Sequence, residues 1–415
     1  MKRRLAHIAL AFACALALGA AAPLGAEQIK ILQGMDFSLG GNEFQANGSS
    51  PFTRTQVSAN WSLYPSLDAD YNLRFQGEAG VSGQLAASIQ GATSTSLAAE
   101  LDQAWVRAAF GEGWGIAFGR RNLKDWKDGG YWNPSDIVNN YLPWGIVGAS
   151  GVQIPGKDSI ELLGLLPFTD LNVDLNAATV LPPGIDSPAS LPFYFTAGSI
   201  FEPFELRLKA AFQSGRLPYV GASAHVTLRS GSLYADGLWL QDQPIAAAFG
   251  LGPSTGSWFR YCAGAQWNID ISQSRLAQSL FLQAEYLRQD DALDASQMSG
   301  FFDALAAMPL ANASDGAAYG AAAKIWNSRF FALGRDYLYA AFYLGEIANA
   351  HIGLFESCVL NIDDLSFGLM SSLAWSPRNL FSISFSASNY GGRAGGEAFM
   401  LPYAAQYTLT LSRSF

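Results

Sequence analysis

Apolar and polar residues alternate with period two along most of the chain. Val57, Ala59, Trp61 and Leu63 alternate with Gln56, Ser58, Asn60 and Ser62, and Ala69, Tyr71, Leu73 and Phe75 alternate with Asp70, Asn72, Arg74 and Gln76. Further on, Phe204, Leu206, Leu208, Ala210 and Phe212 face away from Glu205, Arg207, Lys209 and Gln213. Near the end, Phe381, Ile383, Phe385 and Ala387 alternate with Ser382, Ser384, Ser386 and Ser388. A strand places successive side chains on opposite faces, so each stretch predicts a strand with one apolar and one polar face. Tyr64-Pro65-Ser66, Gly111-Glu112-Gly113 and the proline-rich run from Pro182 to Pro192 read as turns or loops. The pattern predicts an all-β chain of about 18 strands, with 16–20 as the range, since a closed single-chain barrel normally has an even number. Two irregular stretches stand out, near 121–145 and 290–316. In the second, Phe301, Phe302, Leu305 and Met308 fall at helical spacing, which predicts a short helix over Met298–Met308 packed on a rim.

Composition decides what these strands face. Half of the residues are apolar, yet only 14% are charged, below the quarter usual for soluble domains. After residue 27 no run approaches the ~20 consecutive apolar residues that a transmembrane helix requires. Apolar content distributed in alternating pieces, with little charge, fits a single-chain transmembrane antiparallel β-barrel whose outer face meets lipid. Tyr64, Trp114, Trp144, Trp258, Tyr261 and Trp375 lie near strand ends, where aromatic belts form. Lys2, Arg3 and Arg4 precede the apolar run Ile8–Leu18, and Leu24-Gly25-Ala26 offers a cleavage site. Residues 1–26 are therefore expected to be a signal peptide and 27–415 the barrel. Loss of the leader with its three basic residues takes the formal charge from −9 to −12, which argues against a nucleic-acid partner.

The polar faces are rich in Gln, Asn and Ser, as a wet lumen requires. Arg107, Arg120, Arg121, Lys124 and Lys127 cluster beside Trp126, Tyr131 and Trp132, and Arg74, Arg207 and Lys209 fall on polar faces. Such cations in a narrow passage raise the local potential and favour anions. Equally, Asp125, Asp128 and Asp136 offer them ion-pair partners that fold the loop, and both readings stay open. Asp170, Asn172, Asp174 and Asn176 resemble calcium ligands in spacing but lack the turn Gly and the closing Glu, so they read as a polar strand face. Cys262 and Cys358 allow one bridge or two separate thiols. No zinc, nucleophile-elbow or dinucleotide motif is present, and the chain is read as a non-enzyme without cofactor or metal.

The stretch Tyr403–Phe415 sets Tyr407, Leu409, Leu411 and Phe415 on one side of a strand and Gln406, Thr408, Thr410, Ser412 and Ser414 on the other. It resembles the C-terminal strand of bacterial outer-membrane β-barrels of the porin-like class. That resemblance implies an assembly signal in Tyr407, Leu409, Leu411 and Phe415, read by the barrel-insertion machinery; Arg413 departs from the usual apolar residue. Gly119-Arg120, Trp126, Gly129 and Asn133-Pro134-Ser135-Asp136 resemble a segment of a poorly characterised group of outer-membrane barrels. The expected role is a porin-like channel in the outer membrane for small hydrophilic solutes. The homotrimer is one assembly this class allows. The alternative is a non-conducting barrel that binds surfaces through its loops.

Overall fold

The computed structural model describes residues 29–46, 57–72, 76–90, 94–110, 113–121, 123, 130–135, 157–168, 172–181, 191–212, 218–241, 256–274, 276–300, 333–377, 381–393, 396–398 and 403–414. Among these are eighteen strands in one antiparallel sheet. They are β1 (Ile29–Ala46), β2 (Val57–Asn72), β3 (Gln76–Gln90), β4 (Ser94–Phe110), β5 (Trp114–Arg121), β6 (Lys157–Pro167), β7 (Asn172–Val180), β8 (Phe193–Phe201) and β9 (Phe204–Phe212). Then follow β10 (Tyr219–Thr227), β11 (Gly231–Leu240), β12 (Trp258–Asp270), β13 (Ser279–Gln289), β14 (Asp336–Ile347), β15 (Ile352–Asn361), β16 (Phe367–Trp375), β17 (Ser382–Gly391) and β18 (Tyr403–Ser414). Each strand pairs with its neighbours in the chain, and β1 also pairs with β18, from Asp36 opposite Ser414 to Ala46 opposite Tyr403. Residues 1–26, where a signal peptide is expected, and Phe415 lie outside the described residues.

The strands are polar inside and apolar outside. Leu208 is 63% exposed while its neighbour Lys209 is 2% exposed. Phe195, Leu206, Phe212, Phe259, Leu373 and Phe385 are exposed, whereas Glu161, Thr196, Asp236, Glu285, Ser372 and Gln406 are buried. Fully burying such a side chain is worth roughly 1.5–3 kcal/mol, so this outer layer favours contact with an apolar medium. Glycine lets the outer layer close up: Trp114 lies over Gly164, where a Cβ would meet its ring at 2.6 Å.

The pairing also sorts the connections. Residues 47–56, 122–156, 181–192, 241–257 and 290–335 join strands at one end; 73–75, 111–113, 168–171, 202–203 and 228–230 join them at the other. The outward ion pairs Arg120–Asp158 and Arg288–Asp336 stand at the long-connection end of their strands, where the apolar band stops. Trp114 and Trp375 stand at the short-turn end.

Several expectations need correction. No turn occurs at Tyr64-Pro65-Ser66; β2 runs through it, with Pro65 opposite Met35. The β2–β3 ladder covers only Ala69–Asn72, so no β3 residue is in register with Pro65. Trp258 is in register with Leu240 on the inward side and belongs to no outer belt. The helix begins at 295 rather than 298, because Asp294 caps it: its carboxylate accepts from the N–H groups of Ser296 and Gln297, at 3.0 and 2.9 Å. Gln297 reaches back to the Asp294 N–H at 3.0 Å, closing a capping box. Residues 301–308 lie outside the described set. Cys262 and Cys358 are both free, the first buried on the inner side and the second on the outer.

Candidate functional site

The site is where the connection between β5 and β6 enters the barrel. Two parts of that connection are described, and both lie against the inner wall. Leu123 is fully buried against Ala178, Val180 and Tyr194 of β7 and β8. Residues 130–135 lie instead against β10 to β14.

Two strand carboxylates hold that second part. The backbone N–H groups of Tyr131 and Trp132 donate to the two oxygens of Glu285, the latter at 2.8 Å. The N–H of Ser135 donates to Asp236 at 2.7 Å, and its hydroxyl donates to the other oxygen of the same carboxylate. The Tyr234 hydroxyl and Gln283 also donate to Glu285, the amide at 2.5 Å. Hydrogen bonds to charged groups contribute roughly 1.5–3 kcal/mol each, so these bonds hold the segment far more firmly than surface contacts would.

Shape complements these bonds. Tyr131 stacks on Tyr339 with ring centroids 3.8 Å apart and 7° between planes. Trp132 is fully buried, edge-on to Tyr131 at 4.8 Å and tilted against Tyr337 at 5.6 Å. The Cys262 thiol donates to the Trp132 carbonyl at 3.4 Å. Gly130 has φ +117, and a Cβ there would meet Tyr234 at 2.8 Å. At Gly221 of β10 a Cβ would meet the Ser135 Cβ at 2.7 Å, so only glycine lets the loop approach the wall this closely.

A second layer lies above the first. Asp291 is fully buried and bonded to Arg260 at 2.7 and 2.5 Å, which draws the start of the β13–β14 connection inward. Tyr337 links the layers. Its ring touches Trp132, and its hydroxyl accepts from the Gly334 N–H at 2.6 Å and donates to Glu397 at 2.8 Å. Glu397, from the β17–β18 connection, also accepts from Asn361 at 3.0 Å and from the Leu333 N–H at 3.3 Å. Burial, with Asp364 beside it, pushes the Glu397 carboxyl up to about 8.

The inner side of β4 to β9 carries both cations and carboxylates. Arg107 of β4 is in register with Ala117, on the inward side. Arg207 pairs with Glu205 at 3.2 Å and Asp174 at 3.6 Å, in space that Gly198 leaves open. Lys209 is buried between Thr196 and Gly221, beside the seat of Ser135. Arg120 stands apart from this group. It shares the outward parity of Ile116 and Phe118 and pairs with Asp158 at 3.8 Å. Arg74, Lys124, Lys127 and the side chain of Arg121 lie outside the described residues. Leu409 and Leu411 are exposed on the outer face, and Tyr407 stacks on Phe385 with centroids 6.4 Å apart.

Glu285 and Asp236 were not legible in the sequence as anchors. Each is one polar residue on an alternating strand, more than a hundred positions from the loop it holds.

The fold is similar to solved outer-membrane porins. OccAB1 of Acinetobacter baumannii matches with a TM-score of 0.55 at 10% identity, covering 94% of this chain and 97% of that one. OprD of Pseudomonas aeruginosa matches at 0.54 and 9% identity, covering 92% and 93%. A BenF-like porin from Pseudomonas fluorescens Pf-5 matches at 0.54 and 10%, covering 94% and 99%. The chain thus has an outer-membrane porin-like barrel fold. No protein-family model matches the sequence, and no curated protein matches it.

Proposed function

We propose that the chain is an outer-membrane channel that passes small hydrophilic solutes by diffusion, through a lumen narrowed by the β5–β6 connection. The observation that carries this reading is the anchoring of Leu123 to one inner wall and of Tyr131–Ser135 to another. A connection held on the inner face at two places occupies part of the lumen's cross-section. The reading treats the eighteen strands as a closed, membrane-spanning barrel. Its long connections face outside the cell, as is usual for this architecture. Arg107, Arg207 and Lys209 supply cations on the inward side, and Lys124 and Lys127 belong to the same connection in sequence. Together they favour anionic solutes, because cations in a low-dielectric passage act with little screening. Tyr407, Leu409, Leu411 and Phe415 serve as the assembly signal. Lipid and the insertion machinery are the partners this requires.

The test is single-channel recording of the refolded mature chain in a planar bilayer. Discrete steps of fixed size are expected, with a reversal potential in a salt gradient that shows anion preference. A protein that inserts as a heat-modifiable barrel but never conducts sinks the channel reading and favours surface binding through the loops.

A further inference from the structure

We infer that the outward face of β14 to β17 is a packing surface for a second copy of this chain, with Glu356 and Ser371 at its polar centre. Among the strands whose side chains are described, other charged residues on the outward side, such as Arg120, Asp158, Arg288 and Asp336, stand at strand ends. Glu356 is different. It is in register with Ser371, which lies midway along β16 between the outward residues Phe367 and Trp375. Its outward neighbours along β15 are Leu354 and Cys358. A carboxylate at this depth is a liability in lipid and marks a contact or a functional group by default.

The local geometry says what kind of contact. Ser371 donates to one oxygen of Glu356 at 2.5 Å, and no other described group bonds to this carboxylate. Acyl chains carry no donors, so lipid leaves the other oxygen unsatisfied. Ala387 opposite Ser371, and Cys358 with Ala340 opposite it, form a low patch on one side of the pair, while Phe342 stands directly opposite Glu356. Leu338, Leu369, Leu373 and Phe385 stand exposed around this low patch. Small residues among larger ones let two membrane surfaces approach closely, and a hydroxyl–carboxylate pair then bonds across the contact. The face carries donor and acceptor side by side. A copy related by a two-fold axis along the membrane normal presents Ser371 to Glu356 and Glu356 to Ser371. Every copy sits at the same depth, because the apolar band fixes it.

Cys358 is a native reporter of this contact. It lies on the same face, two residues from Glu356, while Cys262 is buried inside. Mild copper–phenanthroline oxidation of the full-length protein in its membrane is expected to yield a disulfide-linked dimer. Cys358→Ser should abolish the dimer and Cys262→Ser should leave it. Glu356→Leu is expected to lower the cross-linking rate at least about fivefold, while Glu356→Gln, which still hydrogen-bonds, keeps most of it. Should Glu356→Leu fail to fold, Ala387→Phe raises the low patch without touching the polar pair and should reduce cross-linking likewise. A monomer in native mass spectra, a trimer without Cys358 linkage, or cross-linking indifferent to Glu356→Leu and Ala387→Phe overturns the inference.

Discussion

The inner wall from β10 to β15 and the inner wall from β4 to β9 are built from the same alternation, yet they use their polar residues in opposite ways. On the first, Glu285 and Asp236 are buried and turned to backbone N–H groups of residues 131, 132 and 135. Their charge holds a loop and is not offered to solute. On the second, Arg107, Arg207 and Lys209 stand inward, with Arg207 in ion pairs of 3.2 and 3.6 Å. The contrast shows that a polar lumen face can be structural on one side and electrostatic on the other. The difference lies in the partner: loop backbone on the first wall, neighbouring strand carboxylates such as Glu205 and Asp174 on the second.

The comparison breaks most visibly at Cys262, which is 1% exposed beneath the Trp132 carbonyl. A water-soluble thiol reagent should barely label it in the parent protein. Glu285→Ala removes the acceptor for two loop N–H groups and should raise the Cys262 labelling rate at least tenfold, followed by mass spectrometry with Cys358→Ser as background. A smaller effect is expected on the opposite wall. Arg207→Glu with Lys209→Glu should shift the reversal potential toward cations, a change of a few-fold in permeability ratio, with Cys262 still protected.

The third effect depends on pH. Glu397 has its folded pKa raised to about 8 from 4.5 by burial, with Asp364 adding to it. The folded mouth therefore holds a proton that the open form releases. Its stabilising contribution is fully present below about 4.5, and it is lost as pH rises through about 8. Proteolysis of the 392–402 connection should accelerate between those limits, and Glu397→Gln should make the rate nearly independent of pH. The smallest effect concerns Tyr131. Removing its stack on Tyr339 with Tyr131→Ala forfeits roughly 0.5–1.5 kcal/mol beyond area burial. It should raise Cys262 labelling by less than Glu285→Ala does.

Much of the barrel was legible because period-two alternation states both the element and its face. Arg107, Arg207 and Lys209 stand on the inward side that the pattern assigns them, as do the column of Asn172, Asp174 and Asn176. Arg120 was less legible. Its neighbours in sequence are basic, but its strand parity is that of Ile116 and Phe118, and Asp158 across the ladder settles it at the rim. The turn at Pro65 misled because proline also sits in strands lacking a partner on one side, and no β3 residue is in register with it, which only the ladder shows. The anchors of the inward loop were hidden for a different reason. A carboxylate that will accept from a distant backbone looks like any other polar-face residue. The clue available was on the loop side: two adjacent large aromatic residues, Tyr131 and Trp132, after Gly130 in an otherwise polar segment. Which end of the barrel carries the long connections follows from strand pairing, which no single stretch of sequence reveals.

The most direct test compares single-channel conductance of the parent protein with that of Glu285→Ala combined with Asp236→Ala, both refolded and checked for heat-modifiable mobility. The account predicts small, discrete steps in the parent and steps several times larger and noisier in the variant, because the loop loses both of its carboxylate anchors. Equal conductance in the two proteins, or larger steps in the parent, would contradict the claim that this loop narrows the lumen.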